Sequence, residues 1–259
     1  IRNKGVKLTA FATTTIGFLG FSILRAASDA EESASKFETD FSKISGSADK
    51  TAKDLSRSFG LSRTEAKGLL GDTGDLLTGF GVTQESALDL STQVQKLAVD
   101  LASFTNIEGG ASRASAALTK ALLGERESVK SLGISILEED VKARVKQLVM
   151  VDKMKFASMR QAKAFATLQL AQEQSKNALG DFARTQGSYA NQARIANAAA
   201  QDFKETLGKE LLPIATKVLK KFTEWVRKFE NMSPAIKNTI LIVGSLIAAL
   251  GPLLLIVGS

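Results

Sequence analysis

The stretch that decides the fold is residues 193–229, ARIANAAAQDFKETLGKELLPIATKVLKKFTEWVRKF. Alanines and large apolar residues recur in it at intervals of three or four, which places them along one side of a helix. The set comprises Ala193, Ala196, Ala200, Phe203, Leu207, Leu211, Ile214, Val218, Phe222, Trp225 and Phe229. Pro213 has no backbone N–H, so we expect it to kink or interrupt this helix.

The spacing is close to a heptad repeat, and two interpretations follow from it. The helix either packs inside its own subunit or forms a self-associating coiled coil, with small residues in its first half and bulky ones in its second. The residues predicted to self-associate are Ala196, Ala200, Phe203, Leu207, Leu211, Val218, Phe222 and Trp225.

Upstream, residues 37–187 form a helical body punctuated by glycine. A stripe from Ala87 to Phe104 predicts one helix, with Thr83 as its N-cap. Ser62 and Glu65 form a possible capping box and predict a helix start near Arg63. The glycine-rich segment 68–81 is expected to contain a turn or hinge, and Gly46 is expected to end a helix. From the acids at 138–140 we expect helix to about Ala183, with a break near Val151.

Composition supports an all-α fold and excludes several kinds of chemistry. The chain has 259 residues, 3 prolines and little strand-like alternation. It has no cysteine and no histidine, which excludes disulfide scaffolds, thiol catalysis, histidine triads and histidine-ligated metals. The adjacent acids at 138–140 diverge around a helix and cannot form a catalytic pair. We therefore predict no catalytic residue, no cofactor and no metal.

The net charge of +7 is concentrated at the two ends. The first 25 residues carry four basic side chains and no acid, and residues 204–237 carry eight basic side chains and four acids. Each basic region adjoins an apolar run, at 8–24 and at 238–259. This arrangement does not favour specific nucleic-acid binding.

The second apolar run, NTILIVGSLIAALGPLLLIVGS, is long enough to span a bilayer as a helix. A buried helix in a larger assembly is the alternative, and the shorter run at 8–24 favours a buried or oligomer-facing helix. The candidates for membrane insertion are Ile240, Leu241, Ile242, Val243, Leu246, Ile247, Leu250, Leu253, Leu254, Leu255 and Ile256. We expect four regions, 1–36, 37–187, 188–237 and 238–259, and expect the chain to be a portion of a longer polypeptide.

Several ordered segments resemble the tail tape-measure proteins of long-tailed bacteriophages and prophages. These segments are GLSRTEAKGLLGDTGDLLTGFG (60–81), ALDLSTQVQKLAVDLASFTNIEGG (87–110), ALTKALLGERESVKSLGISI (117–136), LGDFARTQGSYANQ (179–192) and KETLGKELLPIATKVLKKFTEW (204–225). The terminal run with AALGPLLL looks similar, so the resemblance covers residues 37–259.

The resemblance implies a lumenal scaffold and length ruler for the tail tube. It implies as partners the tail tube protein, tail assembly chaperones, distal tail or hub proteins and further copies of the chain. It also implies a location in the virion tail lumen, after assembly in the host cytoplasm. The apolar segment 238–259 is then the candidate for helping the genome across the host inner membrane.

Two other function classes fit parts of the sequence. A membrane-active helical toxin or secretion translocator would also combine amphipathic helices, a basic flank and an apolar run. A muralytic tail enzyme would need paired or metal-held catalytic groups, which this portion lacks.

Overall fold

The computed structural model describes the backbone of residues 2–240 and 242, and the side chains of residues 20–240 and 242. Over this part of the chain all regular structure is helical, which confirms the predicted all-α class. Two short 3-10 helices lie at Ser42–Ile44 and Arg126–Leu132, and residues 234–240 are helical. The α-helices are α1 (Arg2–Asp40), α2 (Ser45–Phe59), α3 (Arg63–Gly79), α4 (Gln84–Thr105), α5 (Gly110–Leu123), α6 (Glu138–Met150), α7 (Met159–Gln174), α8 (Asp181–Arg184) and α9 (Tyr189–Glu230).

Local sequence signals set several helix boundaries. The side-chain oxygens of Ser62 and Thr83 accept hydrogen bonds from backbone N–H groups three residues ahead, as predicted for the starts of α3 and α4. Left-handed residues end other helices: Gly60 has φ 62° after α2, and Asn106 has φ 49° after α4. The predicted break near Val151 is present, since α6 ends at Met150.

The glycine predictions are partly wrong. Gly46 lies in the first turn of α2, where N–H groups have no helical partner and glycine costs little. Gly68, Gly71 and Gly74 lie inside α3, and the turn comes only at its end, where Gly81 has φ 82°. For Gly74 the reason is packing, because a Cβ there would overlap the ring of Phe41. Tertiary contact therefore overrides glycine's poor helix propensity here.

Two further boundary expectations are corrected. The helix expected to continue to about Ala183 ends at Gln174, and the short α8 follows at Asp181. Pro213 does not interrupt α9, whose helical assignment runs through it. The carbonyl of Lys209, which loses its N–H partner to the proline, lies on an exposed stretch where water can satisfy it.

The chain divides into two compact units, one of residues 29–203 and one of residues 1–28 with 204–259. In the first unit α4 is buried along most of its length, with Val94 and Ala98 fully enclosed. Gln95 is also buried, and its Nε2 donates to the Leu69 carbonyl and to Thr73 Oγ1, both at 2.9 Å. This polar contact fixes α4 against α3 in the core.

In the second unit α1 and α9 approach closely at Gly208. A Cβ at this position would lie 2.6 Å from the Ile23 carbonyl oxygen and would overlap Cβ of Ala27. Only a glycine fits at this contact, which explains a glycine in the middle of a long helix.

Within residues 2–240 and 242, no helix combines the length and apolarity that a bilayer span requires. The predicted span 238–259 lies almost entirely outside the described residues.

Candidate functional site

The candidate site is α9, whose first turns and remaining length have different surroundings. Asn191 is buried at 1% exposure in the first turns. Its Nδ2 donates to Ser103 Oγ on α4 at 3.0 Å and to Thr185 Oγ1 at 2.9 Å. Ser188 accepts a hydrogen bond from the Asn191 backbone N–H at 3.3 Å and so caps the start of α9.

Arg194 extends this contact along α4. Its guanidinium donates to Asn191 Oδ1, to Asn106 Oδ1 at 2.9 Å and to the Ala102 carbonyl at 3.4 Å. Asn106 is the left-handed residue that ends α4. A single side chain on α9 therefore binds two acceptors at the C-terminal end of α4, where the helix dipole favours a cation.

Two more contacts, both within the unit of residues 29–203, involve the first half of α9. Asp202 Oδ1 accepts a hydrogen bond from the Arg63 backbone N–H at 2.9 Å, at the positive N-terminal end of α3. Ile195 packs over Gly60, where a Cβ would lie 2.9 Å from Ile195 Cγ1 and 2.9 Å from Phe182 Cζ. Gly60 is thus required both for its positive φ and for space.

Asp100 holds the segment that precedes α9. Its carboxylate, 6% exposed on α4, accepts hydrogen bonds from the backbone N–H groups of Gly180 at 2.7 Å and Phe182 at 3.2 Å. Burial raises the pKa of Asp100, and the two N–H donors oppose that rise. Arg184 closes the turn by donating to the carbonyls of Leu179 and Asn177.

These contacts give the segment LGDFARTQGSYANQ a structural role that the sequence alone does not assign. Its polar residues and glycine tie α8 and the start of α9 to α4. We call this set the α9 anchor, and it consists of Asp100, Ser103, Gly180, Phe182, Thr185, Asn191 and Arg194.

Beyond the anchor, α9 presents an exposed apolar face. We define the apolar face by six residues at intervals of four, three, four, four and three. They are Leu207, Leu211, Ile214, Val218, Phe222 and Trp225, with exposures of 40%, 41%, 60%, 61%, 58% and 51%. Trp225 stacks between Phe222 and Phe229, with ring centroids 6.0 and 5.6 Å apart.

All eight residues predicted to self-associate are exposed. Ala196, Ala200 and Phe203 lie outside the apolar face, and Phe203 is 63% exposed. The other five belong to the apolar face. Among the described residues, each side chain of the apolar face is at least 40% exposed.

The membrane candidates fall mostly outside the described part of the chain. Ile240 is half-buried and Ile242 is 60% exposed. The remaining candidates lie outside the described residues: Leu241, Val243, Leu246, Ile247, Leu250, Leu253, Leu254, Leu255 and Ile256. Within the described residues, no three acidic side chains are grouped to hold a metal ion.

No protein-family model, curated protein or solved structure matches this chain. The class defined by fold and site is therefore an all-helical protein with an anchored long helix and an exposed apolar face. Any more specific assignment depends on the sequence segments and on this geometry.

Proposed function

We propose that this chain is a portion of a phage tail tape-measure protein, a scaffold and length ruler in the lumen of the tail tube. The main support is the ordered resemblance of five segments over residues 37–259. One of these segments, 179–192, supplies most of the α9 anchor, so the resemblance falls on residues that contact one another.

The apolar face supports association with further copies. Six large apolar residues, each at least 40% exposed in the part of the chain that the structure describes, form a stripe with near-heptad spacing. A soluble protein rarely exposes such a stripe without a partner, and near-heptad spacing suits a second identical helix. The same face would suit several copies lying side by side in a tube.

The compactness of residues 29–203 limits how much tail length this part of the chain could set. One unbroken helix contributes about 1.5 Å per residue, which for the whole chain would be at most ~390 Å. Residues 29–203 form a compact unit instead, so they contribute far less length per residue. In this proposal the tail length is set by extended parts of a longer chain. This portion folds compactly and occupies one position along the tail.

The second stage of the proposal concerns residues 238–259. These residues remain covered in the virion and enter the host inner membrane only after release. Exposing a largely apolar run to water would forfeit about 1.5 to 3 kcal/mol for each large side chain. The expected partners in the assembled state are the tail tube protein, the tail assembly chaperones and distal tail or hub proteins.

The deciding experiment varies the reading frame that encodes the full-length protein and measures tail length by electron microscopy. In-frame deletions in the extended remainder should shorten the tail by about 1.5 Å per residue. A deletion of α9 residues 207–225 should reduce assembly without a proportional shortening. If no deletion changes the tail length, the ruler function is contradicted. A membrane-active toxin or translocator would then be favoured.

A further inference from the structure

A groove between α6 and α7 is lined by no residue of α9 and was not predicted from the sequence. We call it the α6–α7 groove. Its lining consists of Lys142, Val145, Lys146, Val149 and Met150 on α6, with Met159 and Lys163 on α7. On α6, Val141, Val145 and Leu148 face the core, and Lys142, Lys146 and Val149 form the adjacent stripe one residue further along.

The apolar part of the groove is open to solvent. Val149, Met150 and Met159 are 46%, 59% and 64% exposed, while Val145 at 7% forms the floor. Methionine side chains are flexible and polarisable, so they adapt to apolar partners of different shapes. These residues form a contiguous apolar surface with no covering segment among the described residues.

The surroundings of the groove are positively charged. Three lysines and no acid line it, and none of the ion pairs among the described residues involves Lys142 or Lys146. Lys163 also lines the neighbouring cavity, together with Arg126 and Arg160.

The one acid in that cavity is already neutralised. Glu138 binds Arg126 and Lys163, each at 2.7 Å, and these partners lower its pKa. An acidic group arriving beside this cavity would therefore find positive charge in excess.

Shape and charge together select the occupant. A groove between two helices accepts the apolar side of a third helix, whose apolar residues recur at intervals of three and four. The lysines on its edge favour carboxylates beside that apolar side. Nucleic acid would leave the valine and methionine side chains uncovered, and a flat bilayer would not reach the Val145 floor.

We propose that the α6–α7 groove is a docking site for an acidic amphipathic helix of another protein. The groove lies on helices separate from α9, so the proposal is independent of the tape-measure function and can fail without affecting it.

The test measures binding of a synthetic helical peptide to the 259-residue chain by fluorescence anisotropy. The probe is about 18 residues long, with leucines at intervals of three and four and glutamates flanking them. A matched peptide replaces each glutamate by lysine. We expect the acidic peptide to bind at least tenfold more tightly, with an affinity that falls as salt rises.

The variants locate the site. Lys142→Glu with Lys146→Glu should weaken binding at least tenfold, and Met150→Ser should weaken it at low and high salt alike. A control with the same charge change, Lys50→Glu with Lys53→Glu on α2, should bind like the parent chain. A photo-crosslinker on the acidic peptide should label Met150 or Met159, as read by mass spectrometry.

Three results would overturn the proposal. The first is equal binding of the two peptides. The second is equal loss in the groove and control variants, each shown to be folded by circular dichroism. The third is tight binding of anionic vesicles or duplex DNA that Lys142→Glu with Lys146→Glu abolishes while peptide binding is unchanged.

Discussion

Asn191, in the first turns of α9, donates a hydrogen bond to Ser103 of α4 at 3.0 Å, across 88 residues of sequence. We expect Asn191→Ala to lower the free energy of unfolding by about 1 to 3 kcal/mol, because it removes the hydrogen bonds that the buried Asn191 side chain makes to Ser103, Thr185 and Arg194. Equilibrium denaturation measures the change. Gln192→Ala, at the exposed neighbouring position, is the control, and equal losses in the two variants would contradict a specific role for Asn191.

Gly74 and Phe41 form a second pair, since a Cβ on Gly74 would overlap the buried ring of Phe41. Gly74→Ala should therefore destabilise the chain by about 1 to 3 kcal/mol, as overpacking does. Gly68→Ala in the same helix has only Ser33 Oγ nearby, at 4.0 Å, and should gain up to about 1 kcal/mol. Adding Phe41→Leu to Gly74→Ala should recover part of the loss, and thermal unfolding of the three variants tests the order.

Asp40 provides a pH-dependent prediction. Burial raises its pKa, repulsion by Asp75 and Asp72 raises it further, and Lys36 opposes the rise. A carboxyl whose pKa is higher in the folded state binds its proton more tightly when folded, so its ionisation costs stability as pH rises through that pKa. Asp40→Asn should therefore raise the melting temperature at pH 7 by up to about 2 °C.

The advantage of Asp40→Asn should shrink below pH about 3.9, the ordinary value for aspartate, where Asp40 is protonated in both states. Asp54→Asn, an exposed position on α2, is the control. A larger advantage at low pH than at pH 7 would have the wrong sign and would refute the assignment.

The apolar face of α9 predicts concentration-dependent association. Val218→Asp or Phe222→Asp should lower the oligomer mass in sedimentation, because either change would bury an unpaired charge in the helix–helix contact. Leu207→Asp, on the same face, and Phe203→Asp, four residues before it in the predicted stripe, should act in the same direction. Thr216→Asp, on an exposed position outside the apolar face, should leave the oligomer mass unchanged. A loss of mass equal to that of Val218→Asp would argue against association through this face.

Residues 217–259 should bind and permeabilise anionic vesicles as an isolated fragment. The basic residues before the apolar run should contribute about 1 kcal/mol each near an anionic surface. Replacing Leu246 and Leu253 by Asp should abolish insertion, since each charge near a helix centre costs about 2.5 to 3.5 kcal/mol. The same double variant should assemble tails of normal length, and short tails with normal genome ejection would make the segment structural.

The sequence was most informative where a signal is local. Ser62 and Thr83 mark helix starts through bonds within four residues. The stripe predicted from Ala87 to Phe104 is buried from Ala87 to Leu101, while its last member, Phe104, is 54% exposed. Such signals depend on chain geometry near the residue and need no knowledge of its neighbours in space.

The sequence failed where the meaning of a residue depends on a distant partner. Gly74 inside a helix cannot be distinguished from Gly81 in a turn until Phe41 is placed against it. The α9 anchor joins α4 to residues about 80 positions later, and no periodicity links them. The exposure of the face at Val218 and Phe222 likewise required the three-dimensional arrangement.

The bond between Asp202 and the N-terminus of α3 also constrains the order of events at the ribosome. Asp202 follows Arg63 by 139 residues, which at roughly 5 to 20 residues per second takes about 7 to 28 s to translate. Through that interval the start of α3 and the surface around Gly60 and Phe59 have no α9 to cover them. On the nascent chain, the surface that α9 covers is therefore exposed for many seconds before α9 is synthesised.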